Sequence, residues 1–189
     1  MAKVYRHFGN ITRTRLDLIT RDPEAGYMIT VVIPTRDSAR LIGPCLTSLV
    51  AAAVDGLVRE VVLADGGSTD GTLEIAEDCG ARVVSAADGL GLGLAEACDR
   101  PRGEWLMLLE PNALLPEGWR QVVEKQVNAG WDRAVSLGRP GVSWFRRPFT
   151  PPQGLLLSAR LYQARGGFRS GDRDFARLIK AVGARRLNW

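Results

Sequence analysis

The chain has 189 residues, of which 46% are hydrophobic and 24% charged, and its length suits one domain. This composition excludes a disordered chain, a collagen-like repeat and a disulfide scaffold. Three cysteines (Cys45, Cys79 and Cys98) cannot all pair, so we expect buried thiols in a reducing compartment. Since His7 is the single histidine, we expect neither a histidine-rich metal site nor a Ser-His-Asp triad.

The charge is distributed unevenly along the chain. Residues 133–189 hold 12 Lys and Arg against 2 Asp and Glu, whereas residues 1–132 hold 13 against 19. A basic C-terminal third favours an anionic partner, such as a phosphate or an acidic membrane surface, although a solvated arginine-rich surface explains it equally well. The sequence has no zinc-finger spacing, RNP-type aromatic run or clear helix-turn-helix pattern, so we expect no nucleic acid partner.

Residues 1–27 are predicted to form an N-terminal extension that ends in a turn-rich stretch and contains a short helix within 11–20. This segment lacks the continuous apolar stretch of a secretory signal. No run of 18 apolar residues occurs in the chain, so no transmembrane helix is predicted. We therefore expect a cytoplasmic protein.

From residue 28 onwards, short β-branched runs alternate with helical patterns. The predicted strands are 28–33, 60–64, 82–85 and 105–109. The predicted helices are 44–50 with Pro44 at its first position, 73–79, 94–98 after a flexible turn containing Gly89, Gly91 and Gly93, and 116–128. This alternation predicts βαβ units, and so a Rossmann-like α/β domain with a mostly parallel sheet flanked by helices.

The pattern weakens past residue 138. Residues 139–152 hold four prolines and are predicted to form a loop. Two further helices are predicted at 158–165 and 172–182, separated by a glycine turn at 166–167.

Polar side chains follow three of the predicted strands: Thr35 and Asp37, Asp65, and Glu110 with Asn112. The carboxyl ends of parallel strands meet at one edge of the sheet, where open α/β sheets bind their ligands. The sequence therefore predicts a ligand site at this edge.

The stretch from Asp65 to Thr72, DGGSTDGT, directly follows a predicted strand. Its glycines allow a sharp turn and a close approach by a ligand, and Asp65 could accept hydrogen bonds from a nucleobase or a ribose. A plain strand-to-helix turn with an aspartate cap explains the same residues. Neither this stretch nor the glycines at 89–93 have the spacing of a dinucleotide-binding or P-loop motif.

Two segments, IPTRD at 33–37 and EVVLADGGSTDGT at 60–72, resemble the N-terminal half of a family 2 glycosyltransferase of the GT-A fold. The segments 153–157 and 161–168 are similar to the acceptor-side stretch of a short subgroup of that family. The resemblance runs from about residue 28 to 183. It implies a nucleotide-sugar-binding half at 28–138 and a basic acceptor-side segment of the same domain at 139–189.

The resemblance implies transfer of a sugar from a nucleotide-diphospho donor to an acceptor hydroxyl in cell-envelope glycan synthesis. Given the basic C-terminal third, we expect a glycan or lipid-linked acceptor and peripheral contact at the inner face of the membrane. Trp144, beside Phe145, Arg146 and Arg147 in the proline-rich loop, is the candidate for contact with a sugar or a membrane, and ordinary packing is the alternative.

The resemblance also assigns roles to single residues. Its substrate-binding positions are Pro34, Thr35, Asp37, Asp65, Gly66, Ser68, Gln153 and Gly154. Glu110 and Asn112 fall at the family's motif for a divalent ion, Mn²⁺ or Mg²⁺. Asp172 falls at the general base, with Asp174 as a second candidate and a helix N-cap as the alternative role for Asp172.

The chain departs from the family pattern at two of these positions. Asn112 replaces a carboxylate, and its neutral oxygen is a weaker ligand for a divalent ion. Gly171 replaces the glutamate before Asp172. Arginines of the basic third, Arg147 among them, could then stabilise the diphosphate instead. These departures favour an alternative function, a catalytically degenerate nucleotide-binding or scaffold protein of the same fold.

Overall fold

The computed structural model describes residues 28–130 and 132–187, so the predicted extension at 1–27 lies outside the described residues. The strands are β1 (Ile29–Thr35), β2 (Val58–Asp65), β3 (Arg82–Ser85), β4 (Trp105–Leu109), β5 (Val135–Leu137), β6 (Gly154–Ser158) and β7 (Arg185–Leu187). The helices are α1 (Ala39–Val54), α2 (Thr72–Asp78), α3 (Leu90–Asp99), α4 (Trp119–Asn128), a 3-10 turn (Arg147–Phe149), α5 (Ala159–Ala164) and α6 (Ala176–Ala181).

The seven strands form one sheet in the order β3-β2-β1-β4-β6-β5-β7. The pairs β1–β2, β1–β4, β2–β3 and β5–β7 are parallel, whereas β6 runs antiparallel to both β4 and β5. The predicted mostly parallel α/β sheet is confirmed. All strands except β6 therefore place their carboxyl ends at the same edge, which is called the carboxyl edge below.

The central strands β1, β4 and β6 are buried on both faces, which explains why they are largely apolar runs. On β1, Ile29, Val31 and Ile33 pack in one core with α1 and α4, and Val32 faces the other core with α3, α5 and α6. Cys45 and Cys98 belong to these cores, and burial raises the pKa of each thiol to about 12. Cys79 is exposed, contrary to the expectation that all three thiols are buried.

Helix α1 begins at Ala39, so the prediction that Pro44 occupies the first helical position was wrong. The first four N–H groups of a helix have no partner within it. Pro44 is the sixth residue of α1 and has no N–H group, so one backbone hydrogen bond near the start of the helix is missing. The other fifteen residues still form the helix. Buried side chains at Ile42, Leu46 and Leu49 hold this helix on the sheet.

The glycine-rich segment 89–93 was predicted to be a flexible turn, and this was wrong for Gly91 and Gly93, which lie inside α3. A Cβ atom at Gly91 would overlap the carbonyl oxygen of Arg169, and one at Gly93 would overlap Ala86. These glycines therefore allow close packing of α3 rather than flexibility.

Four short elements in the C-terminal third differ from prediction. The strands β5 and β7, of three residues each, were not predicted, and neither was β6. Helix α6 begins at Ala176 and not at Asp172, because the residues before it form a turn held by side-chain contacts. No helix among the described residues is long and apolar enough to cross a membrane.

We predict that Gly91→Ala lowers the free energy of unfolding by about 1–3 kcal/mol, because the new methyl group must displace the backbone at Arg169. The control is Gly43→Ala in α1, where a Cβ atom meets no other atom within 4 Å. That variant is expected to gain about 0.5–1 kcal/mol from improved helix propensity. Urea denaturation measures both values, and equal stabilities would contradict the packing role of Gly91.

Candidate functional site

The carboxyl edge brings together segments that follow four strands. They are 36–38 after β1, 66–71 after β2, 110–114 after β4 and 138–139 after β5. The predicted convergence of Thr35, Asp37, Asp65, Glu110 and Asn112 at this edge follows from the parallel order β2-β1-β4.

The carboxylate of Asp65 connects the ends of β1 and β2. Its Oδ1 atom accepts hydrogen bonds from the hydroxyls of Thr35 (3.0 Å) and Ser68, and its Oδ2 atom accepts from the backbone N–H groups of Gly67 (3.0 Å) and Ser68 (2.8 Å). Burial raises the pKa of Asp65, but the four hydrogen bonds outweigh burial and hold that pKa below its ordinary value. A nucleobase that bound this carboxylate would have to replace one of these donors, since all four acceptor positions are in use.

Asp37 holds the β1 and β2 loops against each other. Its φ angle of 45° lies in the left-handed region, which aspartate and asparagine tolerate better than other side chains. Its Oδ1 atom accepts from the backbone N–H of Thr69 (2.8 Å), and its own N–H donates to the Ser68 hydroxyl (2.9 Å). The backbone conformation and the cross-loop contact both explain why a short carboxylate or amide suits this position.

Asp70 forms a second link between the loops that follow β1 and β2, at the first residues of α1 and α2. The Asp70 carboxylate accepts from the N–H of Ala39 (3.0 Å) at the start of α1 and from the N–H of Thr72 (3.0 Å) at the start of α2. The Thr72 hydroxyl in turn accepts from the N–H of Ser38 (2.8 Å). The rim formed by 36–38 and 66–72 is thus a preorganised hydrogen-bonded unit.

Gln153 and Gly154 lie at the start of β6, between β4 and β5, and are buried. The Gln153 side chain accepts from the N–H of Leu114 (2.9 Å) and donates to the carbonyls of Leu114 (2.8 Å) and Gly138 (3.1 Å). A Cβ atom at Gly154 would collide with the backbone of Leu108. Both residues therefore position the loops around the site and do not face it.

Glu110 and Asn112 were assigned to a divalent ion by resemblance, and the donor set here does not fit that ion. The Oδ1 atom of Asn112 accepts a hydrogen bond from Nη2 of Arg139 at 3.1 Å. The guanidinium therefore already occupies the amide oxygen that a divalent ion would have to bind. A divalent ion prefers several anionic oxygens and is repelled by a neighbouring guanidinium. Among the described residues no group of three or more His, Cys, Asp or Glu side chains could hold a metal ion.

Glu110 lies between charges of both signs. Burial raises its pKa, the positive charge of Arg139 lowers it, and the negative charge of Asp174 raises it, with a net upward shift. The exposed Asp174, 64 residues later in the chain, therefore acts on Glu110 through its charge. One of its oxygens, Oδ1, accepts from the N–H of Ala176 (2.7 Å) at the start of α6.

Asp172, the predicted base, forms a two-point ion pair with Arg177. Its carboxylate accepts from Nε and Nη2 of Arg177, both at 2.6 Å, and from the N–H of Arg169 at 2.8 Å. These hydrogen bonds from Arg177 hold the pKa of Asp172 below its ordinary value. Arg177 also donates to the carbonyl of Gly167, so the pair fastens the turn before α6. The catalytic role of Asp172 stays a prediction, and this pairing weighs against it.

One functional candidate, Arg139, was not found from the sequence alone. It belongs to the basic C-terminal third, but charge counting does not distinguish it from the other arginines there. Arg147, which was considered for the diphosphate, donates through Nε to the carbonyl of Val142 (3.1 Å) within its own loop.

The sequence matches the profile of Glycosyl transferase family 2 over residues 30–182. A glucosyl-3-phosphoglycerate synthase of Mycolicibacterium paratuberculosis is 45% identical over 67 residues, which are 35% of this chain and 20% of that protein. A PGL/p-HBAD biosynthesis glycosyltransferase of Mycobacterium bovis is 34% identical over 92 residues, or 45% of this chain and 35% of that one. The matched stretches thus span about a fifth to a third of these relatives.

The fold is similar to that of glucosyl-3-phosphoglycerate synthase from Mycobacterium tuberculosis, whose crystal structure contains Mn²⁺, UDP and glucosyl-3-phosphoglycerate. The TM-score is 0.62 at 22% sequence identity, over 87% of this chain and 70% of that one. At this identity the likeness establishes the fold.

We predict that Asp37→Ala lowers the free energy of unfolding by about 1–3 kcal/mol, because it loses the contacts to Thr69 and places alanine in the left-handed region. The matched control is Asp37→Asn, which keeps an acceptor oxygen and tolerates that backbone angle. It is expected to stay within about 0.5 kcal/mol of the native chain. Chemical denaturation compares the three proteins, and equal losses in both variants would show that charge rather than geometry matters here.

Proposed function

The chain belongs to glycosyl transferase family 2, and on that premise we propose that it transfers a sugar from a nucleotide-diphospho donor to an acceptor hydroxyl. One observation supports this proposal: the rim 36–38 and 66–72 lies at the same carboxyl edge of the sheet as Glu110, Asn112 and Arg139. A nucleoside beside the rim would place its diphosphate toward the arginine. Because the related fold from M. tuberculosis holds UDP, a uridine nucleotide is the first donor to test.

In this reaction the acceptor oxygen bonds to the anomeric carbon, the bond from that carbon to the diphosphate breaks, and the acceptor proton passes to a base. We assign the base to Asp174. It is exposed, acts on Glu110 through its charge and has one carboxylate oxygen, Oδ2, outside its contact with Ala176. Asp172 is a weaker candidate, because the charge of Arg177 lowers its basicity and both of its oxygens accept hydrogen bonds.

A second function, a catalytically degenerate nucleotide-binding or scaffold protein, is favoured by one specific observation. The residues at the family's metal motif, Glu110 and Asn112, do not form a set of ligands suited to a divalent ion. A chain of this kind would bind a nucleotide at the rim, or keep only the fold, and would show no turnover. The two functions are therefore distinguished by transfer activity and not by binding.

The acceptor side includes an exposed aromatic and basic loop, defined here as residues 139–152. Trp144, Phe145 and Phe149 are 79%, 58% and 88% exposed, and Arg146 lies among them. The loop also borders a cavity of 510 Å³. Aromatic rings and cationic side chains suit the interface of an anionic membrane. We assign this loop to peripheral contact with such a surface, which would bring a lipid-linked glycan acceptor to the carboxyl edge.

Calorimetric titration of the purified chain with UDP, GDP and representative sugar nucleotides tests the donor assignment. Transfer is then assayed with the sugar nucleotide that binds, using glycan and lipid-linked acceptors. Binding followed by transfer supports the glycosyltransferase, whereas binding without transfer supports the degenerate alternative. No binding of any nucleotide would contradict the donor site and favour a scaffold that keeps only the fold.

With an active donor and acceptor pair, we predict that Asp174→Asn lowers kcat about 100-fold or more, since proton transfer to a placed base contributes at least that factor. Its melting temperature and donor affinity should stay close to those of the native chain. The control is Asp172→Asn, which should lower the melting temperature because it breaks the pair with Arg177. If Asp172→Asn alone abolished turnover in a folded protein, the assignment of the base would move to Asp172.

We predict that the chain co-sediments with vesicles containing phosphatidylserine and that Trp144→Ala with Phe149→Ala reduces the bound fraction at least fivefold. High salt should also reduce binding, because the arginines of the loop contribute by charge. The matched control is Val54→Ala at the end of α1, which removes another highly exposed apolar side chain. An equal loss in the control, or binding independent of the loop, would contradict the membrane assignment.

A further inference from the structure

We propose that Arg139 binds the diphosphate of the donor and supplies the positive charge that a divalent ion would otherwise provide. This inference rests on the proposed function, because it names the group that recognises the donor's diphosphate. It also accounts for the unsuitable ligand set at Glu110 and Asn112.

The backbone places Arg139 at the correct edge of the sheet. It follows β5, whose carboxyl end lies at the same edge as that of β4 and the loop 110–114. The preceding residue, Gly138, donates its N–H to the carbonyl of Leu187 (2.9 Å) and accepts from the buried Gln153 amide (3.1 Å). That same amide holds Leu114 through two hydrogen bonds. One buried side chain thus sets the distance between Arg139 and the 110–114 loop.

Asn112 orients the guanidinium without neutralising it. Among residues 28–130 and 132–187, the guanidinium of Arg139 hydrogen-bonds the side chain of Asn112 alone, through Nη2. Arginine has five N–H donors in a planar fork, so further donors remain to reach two phosphate oxygens. A carboxylate at residue 112 would pair with the arginine and cancel its charge. The neutral amide therefore leaves that charge for a ligand.

The position of Arg139 is set before a ligand arrives, by its contact with Asn112 and by the bond from the Gln153 amide to the neighbouring Gly138. When the sugar bond breaks, the leaving nucleoside diphosphate gains negative charge, and a guanidinium already in position stabilises it without rearrangement. No electron transfer or further reactant is involved.

The test is calorimetric titration of the full chain with UDP and GDP, once with 1 mM MnCl₂ and once with EDTA. For the native chain we expect equal affinity within about twofold in the two conditions. Arg139→Ala should weaken binding about 10- to 100-fold in both conditions, as expected for lost charge-assisted hydrogen bonds. The affinity of Arg139→Lys should lie between those of the native chain and Arg139→Ala, because lysine keeps the charge and loses the planar fork.

Two further variants sharpen the test. Arg133→Ala is the matched control, since Arg133 is exposed and precedes β5, at the edge of the sheet opposite the carboxyl edge. This variant should bind the nucleotide as the native chain does. Asn112→Asp places a hard anionic ligand beside Arg139, so it should weaken binding in EDTA and make binding stronger when Mn²⁺ is added. This second readout remains available if Arg139→Ala fails to fold.

The outcomes separate this inference from the proposed function. Nucleotide binding that requires Mn²⁺ in the native chain and is unchanged in Arg139→Ala would overturn the role of Arg139 and leave the donor site standing. Absence of nucleotide binding in both conditions would overturn the donor site, and the role of Arg139 with it. Nucleotide binding that is independent of Mn²⁺, weakened in Arg139→Ala and unchanged in Arg133→Ala supports the inference.

Discussion

The buried amide of Gln153 is the interaction on which the arrangement of the site depends. It lies at the entry to β6, the strand that reverses direction between β4 and β5. Its three hydrogen bonds join Leu114 to Gly138, and its backbone N–H donates to Leu137 (2.8 Å). An unpaired buried amide is costly, so these loops are held in one relative position as long as the core is intact. The approach of Arg139 to Asn112 is a consequence of that constraint.

The two halves of the carboxyl edge are built differently. The rim at 36–38 and 66–72 is held by short polar side chains bonded to backbone N–H groups, with Asp65 and Asp70 as the main acceptors. The half at 110–112 and 139 is held by one guanidinium and a neutral amide. The first half has its hydrogen-bonding capacity largely used within the protein, whereas the second retains positive charge and donors for an anion. This difference is why we propose recognition of a phosphate group at Arg139 and recognition of a nucleoside at the surface of the rim.

Much of the fold could be predicted, because a buried strand such as β4 is an apolar run whose bounds follow from local sequence. The three-residue strands β5 and β7 could not, since their pairing depends on partners far along the chain. The glycines of α3 show another limit: a glycine that permits flexibility and one that permits close packing look alike until the neighbouring backbone at Arg169 is known. The site was predictable where one strand end carries several polar residues. Arg139 was not, because its significance comes from a contact to Asn112, 27 residues away.

Most residues of the recognised motifs have structural tasks that any protein of this fold would need. Asp65, Asp37 and Asp70 hold loops, Gln153 and Gly154 lie buried at the start of β6, and Asp172 fastens the turn before α6. Their presence therefore argues for the fold more strongly than for catalysis. The side chains to which we assign chemistry, Arg139 and Asp174, keep N–H donors and one carboxylate oxygen outside these contacts. A phosphate and an acceptor hydroxyl would use those atoms, whereas a scaffold without a ligand has no need of them.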